Sequence, residues 1–210
     1  MCIRDSGWSE PQLDHYVSRF GGFGRGVSQL PDAFVRRSDG ERLDINGREW
    51  RVITGAGHSP EHVCLWCETL GVFISGDQIL PRISSNVSVF PTEPQADPLA
   101  DWLASCRKLQ AMLPSDILVL PSHNEPFTGA HKRLEALVDG HELGMRRIIG
   151  RLERPMSAVE LFGALFARRI DQDTLGMATG ETIAHLNCLM GRGLVSSFVE
   201  GGRRLYARAA

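Results

Sequence analysis

Phe73-Ile74-Ser75-Gly76-Asp77-Gln78-Ile79-Leu80-Pro81 runs a short apolar stretch straight into a glycine and a carboxylate. Residues 72–75 read as a strand, and Gly76 ends it. Asp77 therefore stands just past a strand end, a rigid platform that can aim a ligand to a fraction of an ångström. Two other stretches repeat the pattern with an imidazole in place of the carboxylate. Upstream, Trp50, Val52 and Thr54 alternate with Arg51 and Ile53 as a strand, which leads into Gly55-Ala56-Gly57-His58-Ser59-Pro60. Downstream, residues 117–120 form a continuous apolar run, the pattern of a buried strand, followed by Pro121-Ser122-His123.

Each feature alone is ordinary. A loop histidine is usually solvated or hydrogen-bonded, and Gly-Asp after a strand is usually a turn. Their order, Gly-His, Gly-Asp, Pro-x-His, each closing a strand, is much harder to reach by chance. Two imidazoles and a carboxylate suit zinc, iron or manganese. A carboxylate has two oxygens, so Asp77 can bridge two ions held about 3.5–4 Å apart.

The rest of the chain frames these loops. Residues 12–20 suit a short helix, Gly21-Gly22-Phe23-Gly24 a break, and 28–47 loop with short strands. Residues 62–67 form a further strand. The stretch 78–94 holds three prolines and little periodicity, as a long functional loop does. Asp97 and Pro98 open a helix as N-cap and first residue, with Trp102, Leu103, Cys106, Leu109 and Leu113 as its apolar stripe. A longer helix is expected over 134–152. Beyond Arg154-Pro155, Ser157 and Glu160 form a capping box opening a helix to about Ala167. Another helix starts at Thr179 or Gly180, and 194–207 reads as a hairpin around Glu200-Gly201-Gly202. Helix, helix, two-stranded wing is winged-helix order. The expected division is therefore 1–153 and 154–210.

Composition narrows the class. The 210 residues are 42% hydrophobic and 23% charged, with a formal net charge of −2, ordinary for a globular protein. That balance gives no reason to expect nucleic acid or a membrane surface, and no apolar run approaches the roughly 20 residues of a membrane span. The five cysteines are odd in number and irregularly spaced, so a disulfide framework is not expected and a reducing cytoplasm is the default location. Cys64-Leu65-Trp66-Cys67 has C-x-x-C spacing but lies in a strand and has no second copy, so both thiols are read as buried apolar residues.

As a set, Gly55-x-Gly-His58-Ser-Pro-Glu-His62, Phe73-Ile-Ser-Gly-Asp77-Gln-Ile-Leu-Pro81, Leu118-Val-Leu-Pro-Ser-His123 and Gly180-Glu-Thr-Ile-Ala-His185-Leu resemble the metallo-β-lactamase superfamily, in its branch with a C-terminal winged-helix domain. The resemblance covers about residues 28–208. It implies an α+β fold: the C-terminal half of a metallo-β-lactamase αββα sandwich followed by a winged-helix domain. It also implies His58 on one metal ion, His123 on a second and Asp77 bridging them. The expected cofactor is two divalent ions, zinc or else iron or manganese. The expected reaction is hydrolysis of a small ester, thioester or lactone by metal-bound hydroxide.

The family's other ligands lie in an upstream His-x-His-x-Asp-His motif. Here the one histidine before His58 is His15, in Leu13-Asp14-His15-Tyr16. A fragment truncated at its N-terminus is therefore expected, with residues before about Gly7 foreign to the domain and no catalytic base assigned. On the loop after Asp77, Arg82, Ser85, Asn86 and Ser88 are candidates to face substrate, Arg82 and Asn86 first. The alternative is that they hydrogen-bond the loop to itself. His62, His131, His141 and His185 are read as structural.

Two further readings stay open: a metallo-endoribonuclease of the same fold, and a non-enzymatic winged-helix nucleic-acid-binding module. Residues 141–210 hold ten arginines against seven acids, yet 179–190 carries Glu181 and no Arg or Lys. A helix tracking phosphates should be basic. Packing or homodimerisation is the expected role of that region, with a small molecule as substrate and no membrane partner.

Overall fold

Strand pairing decides where the loops go. In the computed structural model, which describes residues 3–19, 28 and 31–209, β1 (Arg42–Ile45), β2 (Arg48–Gly55), β3 (His62–Cys67), β4 (Val72–Gly76) and β5 (Leu118–Pro121) form one sheet in that order. Each neighbouring pair up to β3–β4 is antiparallel, whereas β4 and β5 run parallel. A parallel pair needs a crossover, and α2 (Pro98–Met112) supplies it. Two antiparallel steps restore direction, so β2, β4 and β5 all point the same way. Their carboxyl ends meet at one edge of the sheet.

One face of that sheet is packed. Register places Ile53 beside Cys64, Trp66 beside Phe73 and Phe73 beside Val119. Ile53, Cys64, Phe73 and Val119 are fully buried. They lie in a single core with Leu99, Trp102, Leu103, Cys106 and Leu109 of α2. Burying each large apolar side chain contributes about 1.5–3 kcal/mol. The Asp97 carboxylate accepts the Ala100 N–H at 3.0 Å with Pro98 at the first helical position, as its sequence predicts.

The same core continues through α3 (Ala130–Arg151), α4 (Phe162–Leu165), α5 (Leu175–Gly191) and the antiparallel hairpin of β6 (Val195–Glu200) and β7 (Arg203–Arg208). Ile148, Leu161, Leu186 and Tyr206 belong to it along with Ile53 and Phe73. At the other end of the chain, α1 (Glu10–Arg19) and Trp8 lie against α5, where the Trp8 indole donates to Thr179 at 2.9 Å. Among the described residues, no helix is long and apolar enough to cross a membrane.

Several elements depart from their expected bounds. The first helix spans Glu10–Arg19, and Phe20 lies outside the described residues, as do Met1, Cys2 and the break at 21–24. β5 is not wholly buried: it is an edge strand, and Leu118 on its outer side is 38% exposed. α3 begins at Ala130 rather than at 134. Ser157 and Glu160 do form their box, with the Ser157 N–H and hydroxyl both donating to the Glu160 carboxylate at 2.8 and 2.9 Å. The chain nevertheless winds as a tight 3-10 turn over Val159–Leu161 before the single α-turn of α4. α5 begins at Leu175, four residues before Thr179, because Asp171 and Thr174 bond each other and start the turn.

Candidate metal centre

His58, Asp77 and His123 follow β2, β4 and β5, the strands that share a direction, so their loops lie side by side. The His58 Nε2 stands 3.4 Å from Asp77 Oδ2, and the His123 Nε2 stands 3.4 Å from Asp77 Oδ1. The His58 ring donates its Nδ1–H to the Asn86 carbonyl at 2.8 Å. Its Nε2 is then a lone pair, aimed at a carboxylate that also offers lone pairs. Asp77 Oδ1 is buried and has no hydrogen-bond partner among the described residues. Acceptor facing acceptor is unfavourable unless a cation lies between them.

The spacing matches that requirement. Two ligand atoms about 2.0–2.2 Å from one tetrahedral ion stand about 3.4 Å apart. Each imidazole faces a different oxygen of the Asp77 carboxylate. Among the described residues, no three His, Cys, Asp or Glu side chains close on a single point.

The backbone around the three residues is tightly held. The Asp77 N–H donates to His62 Nε2 at 3.1 Å, and the Ser85 hydroxyl donates to the Asp77 carbonyl. His62 therefore keeps its proton on Nδ1, which donates to Ser59 Oγ at 3.3 Å. Burial lowers the His62 pKa, and a proton on nearby His58 would lower it further, so the ring stays neutral for this acceptor role. Gly76 has φ +54°, and a Cβ there would stand 2.4 Å from His62 Nε2. The His58 loop is seated on α2: the buried Ser105 hydroxyl accepts the Ala56 N–H at 2.8 Å, and Trp102 packs under Gly57.

The three residues open into a cavity of about 410 Å³, within the range of small-ligand sites. Leu80 and Ile83 from the loop after β4 line it, with Phe166, Ile170 and Met177 from the C-terminal region. Arg133 of α3 pins that loop, donating to the Leu80 and Ile83 carbonyls at 2.6 and 2.8 Å.

Asn86 lines the cavity, but its groups are largely engaged. Beyond its carbonyl, its side-chain amide donates to Glu181 Oε2 at 3.2 Å and accepts from Ser88 at 2.5 Å. Arg82 does not line the cavity. It pairs with Glu125 and faces a neighbouring cavity of about 290 Å³ that also takes in His141 and His185. His131 donates to the Leu113 carbonyl at the end of α2. The thiols of the C-x-x-C stretch are both buried, and burial pushes that of Cys64 up to about 12. A thiol so protonated is a poor nucleophile or ligand.

Glu181 and Arg168 are the site residues that the sequence hides. Glu181 sits on α5, about a hundred positions beyond Asp77, inside the 180–186 stretch that the sequence singles out without giving this side chain a role. It lines both this cavity and the neighbouring one, and burial pushes its pKa up to about 7. The unfolded value is near 4.3, so the folded chain holds an extra proton between the two values and loses stability as pH rises through them. Glu181→Gln should therefore melt like the wild type at about pH 4 and a few degrees higher at about pH 8 in metal-free buffer. Equal melting at both values would show that the carboxyl titrates normally.

Fold and site together define a mixed α+β protein with a histidine–carboxylate centre at one edge of its sheet. The family model described as "Metallo-beta-lactamase superfamily" matches residues 5–123, and one described as "Metallo-beta-lactamase-like, C-terminal domain" matches 145–206. The chain belongs to the metallo-β-lactamase superfamily. It is 30% identical over 174 residues to the Bacillus subtilis protein named "Probable metallo-hydrolase YqjP", a match covering 80% of this chain and 53% of that protein. The crystal structure of a β-lactamase domain protein from Burkholderia ambifaria superposes with a TM-score of 0.90 at 40% identity, over 98% of this chain and 60% of that one. A shorter match, 31% identical over 75 residues, is to an atrochrysone carboxyl ACP thioesterase of Aspergillus fumigatus, covering 36% of this chain and 16% of that protein. The chain thus spans somewhat over half the length of the first relative and of the first structure.

Proposed function

We propose a divalent-metal-dependent hydrolase of small esters, thioesters or lactones, to whose metal centre this chain contributes His58, Asp77 and His123. One observation carries the reading: the two oxygens of a single half-buried carboxylate each face an imidazole nitrogen at 3.4 Å. A divalent cation held there supplies Lewis acidity and lowers the pKa of a bound water. Zinc, iron and manganese all accept this donor set.

The chain's own residues do the rest. The Asn86 carbonyl fixes the His58 tautomer, and His62 and Ser85 hold the Asp77 backbone. The apolar walls seat an acyl group and exclude water, which strengthens every electrostatic contact inside. A thioesterase among the relatives favours thioesters within the substrate range.

α5 suits a wall of the cavity better than a nucleic-acid recognition helix. From Ala178 to Leu189 its residues are buried, apart from the half-buried Glu181. A helix reading a nucleic-acid groove must expose a face.

The test is to purify the chain metal-free, titrate zinc, iron and manganese, and assay ester and thioester hydrolysis. Uptake of about two ions per chain and activity abolished by chelation are expected. A chain that takes up none of the three metals removes the reading.

A further inference from the structure

Resting on that reading, we propose that Arg168 selects acyl substrates that carry an anionic group at the end remote from the scissile carbonyl. The cavity over His58, Asp77 and His123 is walled by Ile83, Phe166, Ile170 and Met177, which suits an alkyl or aryl chain. Among the described residues, its charged side chains besides the centre are Glu181 and Arg168. Glu181 is engaged by Asn86 and sits deep on α5. Arg168 lies on the exposed segment between α4 and α5, at the solvent side of the cavity.

Its place in the cavity wall separates Arg168 from a solvated surface arginine, and its free hydrogen-bonding capacity leaves it available there. It lines a concave apolar wall that also holds the metal-ligand side chains. Among the described residues, no hydrogen bond or ion pair engages its guanidinium; the Asp171 carboxyl, held below its usual range first by hydrogen bonds from Thr174, feels its charge only as a minor contribution. An unpaired guanidinium at the rim of an apolar cavity presents a planar fork to a carboxylate or phosphate, the geometry arginine favours over lysine. A substrate reaching from Asp77 to Arg168 would lay its apolar middle along Phe166, Ile170 and Met177.

The anion has two sources, a carboxylate on the acyl chain or a phosphate on the leaving group, and the test separates them. Suberate and octanoate, which share a chain length and differ by one terminal carboxylate, are titrated calorimetrically into the wild type and into Arg168→Gln. Suberate is expected to bind about tenfold more tightly than octanoate, with that margin lost in Arg168→Gln. In parallel, octanoyl-phosphopantetheine and octanoyl-N-acetylcysteamine thioesters are compared as substrates of the metal-loaded protein. A suberate margin assigns the carboxylate; a phosphopantetheine margin in KM that Arg168→Gln removes assigns the phosphate. Equal binding by suberate and octanoate together with equal KM for the two thioesters overturns the proposal, as does a margin that Arg168→Gln leaves intact. Calorimetry reports on the subsite even where no thioester is cleaved, so a hydrolase reading that fails leaves an Arg168-dependent margin visible.

Discussion

Asp77→Asn is expected to abolish divalent-metal uptake while leaving the metal-free chain at least as stable as the wild type. The carboxylate offers an oxygen to each imidazole and supplies the negative charge that a pair of dications requires. Loss of a supporting residue costs roughly 10–100-fold in metal affinity, and loss of a shared ligand should exceed that for both ions. The stability sign is the more specific part. In the metal-free wild type, Asp77 Oδ1 is buried without a hydrogen-bond partner among the described residues, and Oδ2 faces the His58 lone pair. An asparagine amide can donate where the carboxylate could not, a net gain of about 1 kcal/mol. Zinc titration and thermal melts in chelator read both effects. A variant that binds zinc like the wild type ends the metal assignment, and one that melts well below the wild type ends the account of the unpaired oxygen.

Gly57→Ala should be among the most damaging single-methyl changes in the chain. Gly57 has φ +104°, beyond the left-handed region that asparagine or aspartate tolerates. A Cβ there would meet the Pro98 carbonyl at 2.5 Å, Trp102 Cβ at 2.5 Å and Trp102 Cα at 2.8 Å. Those atoms belong to the first turns of α2, whose Trp102 is fully buried, so they cannot swing aside. Backbone strain of about 1–3 kcal/mol and overpacking of about 1–3 kcal/mol add to a loss near 4 kcal/mol. Denaturant melts compared with Gly140→Ala, where a Cβ meets nothing within 4 Å, isolate the effect. A Gly57→Ala protein within about 1 kcal/mol of that control would show that the His58 loop is not seated on α2 as described.

Much of the local structure was legible along the chain, because it depends on neighbours in sequence. The Asp97–Pro98 helix start, the apolar stripe of α2 and the hairpin turn at Gly201-Gly202 each rest on a few adjacent residues and appear where they are predicted. Boundaries drifted where a signal was local but weak: Asp171 and Thr174 start α5 without resembling a standard cap. Arg82 shows the limit for side chains. Its position beside Asp77 suggested substrate, but Glu125, 43 residues away, is the partner that holds it.

By itself, then, the order of residues determined which side chains end their strands: an imidazole at 58, a carboxylate at 77 and an imidazole at 123. Only the tertiary structure decided that they meet, because two antiparallel steps and one parallel crossover turn the carboxyl ends of β2, β4 and β5 to the same edge. It also decided what surrounds them. Phe166, Arg168, Met177 and Glu181 reach the cavity through packing of α4 and α5 on α2 and α3, and burial of an apolar face is blind to distance along the chain.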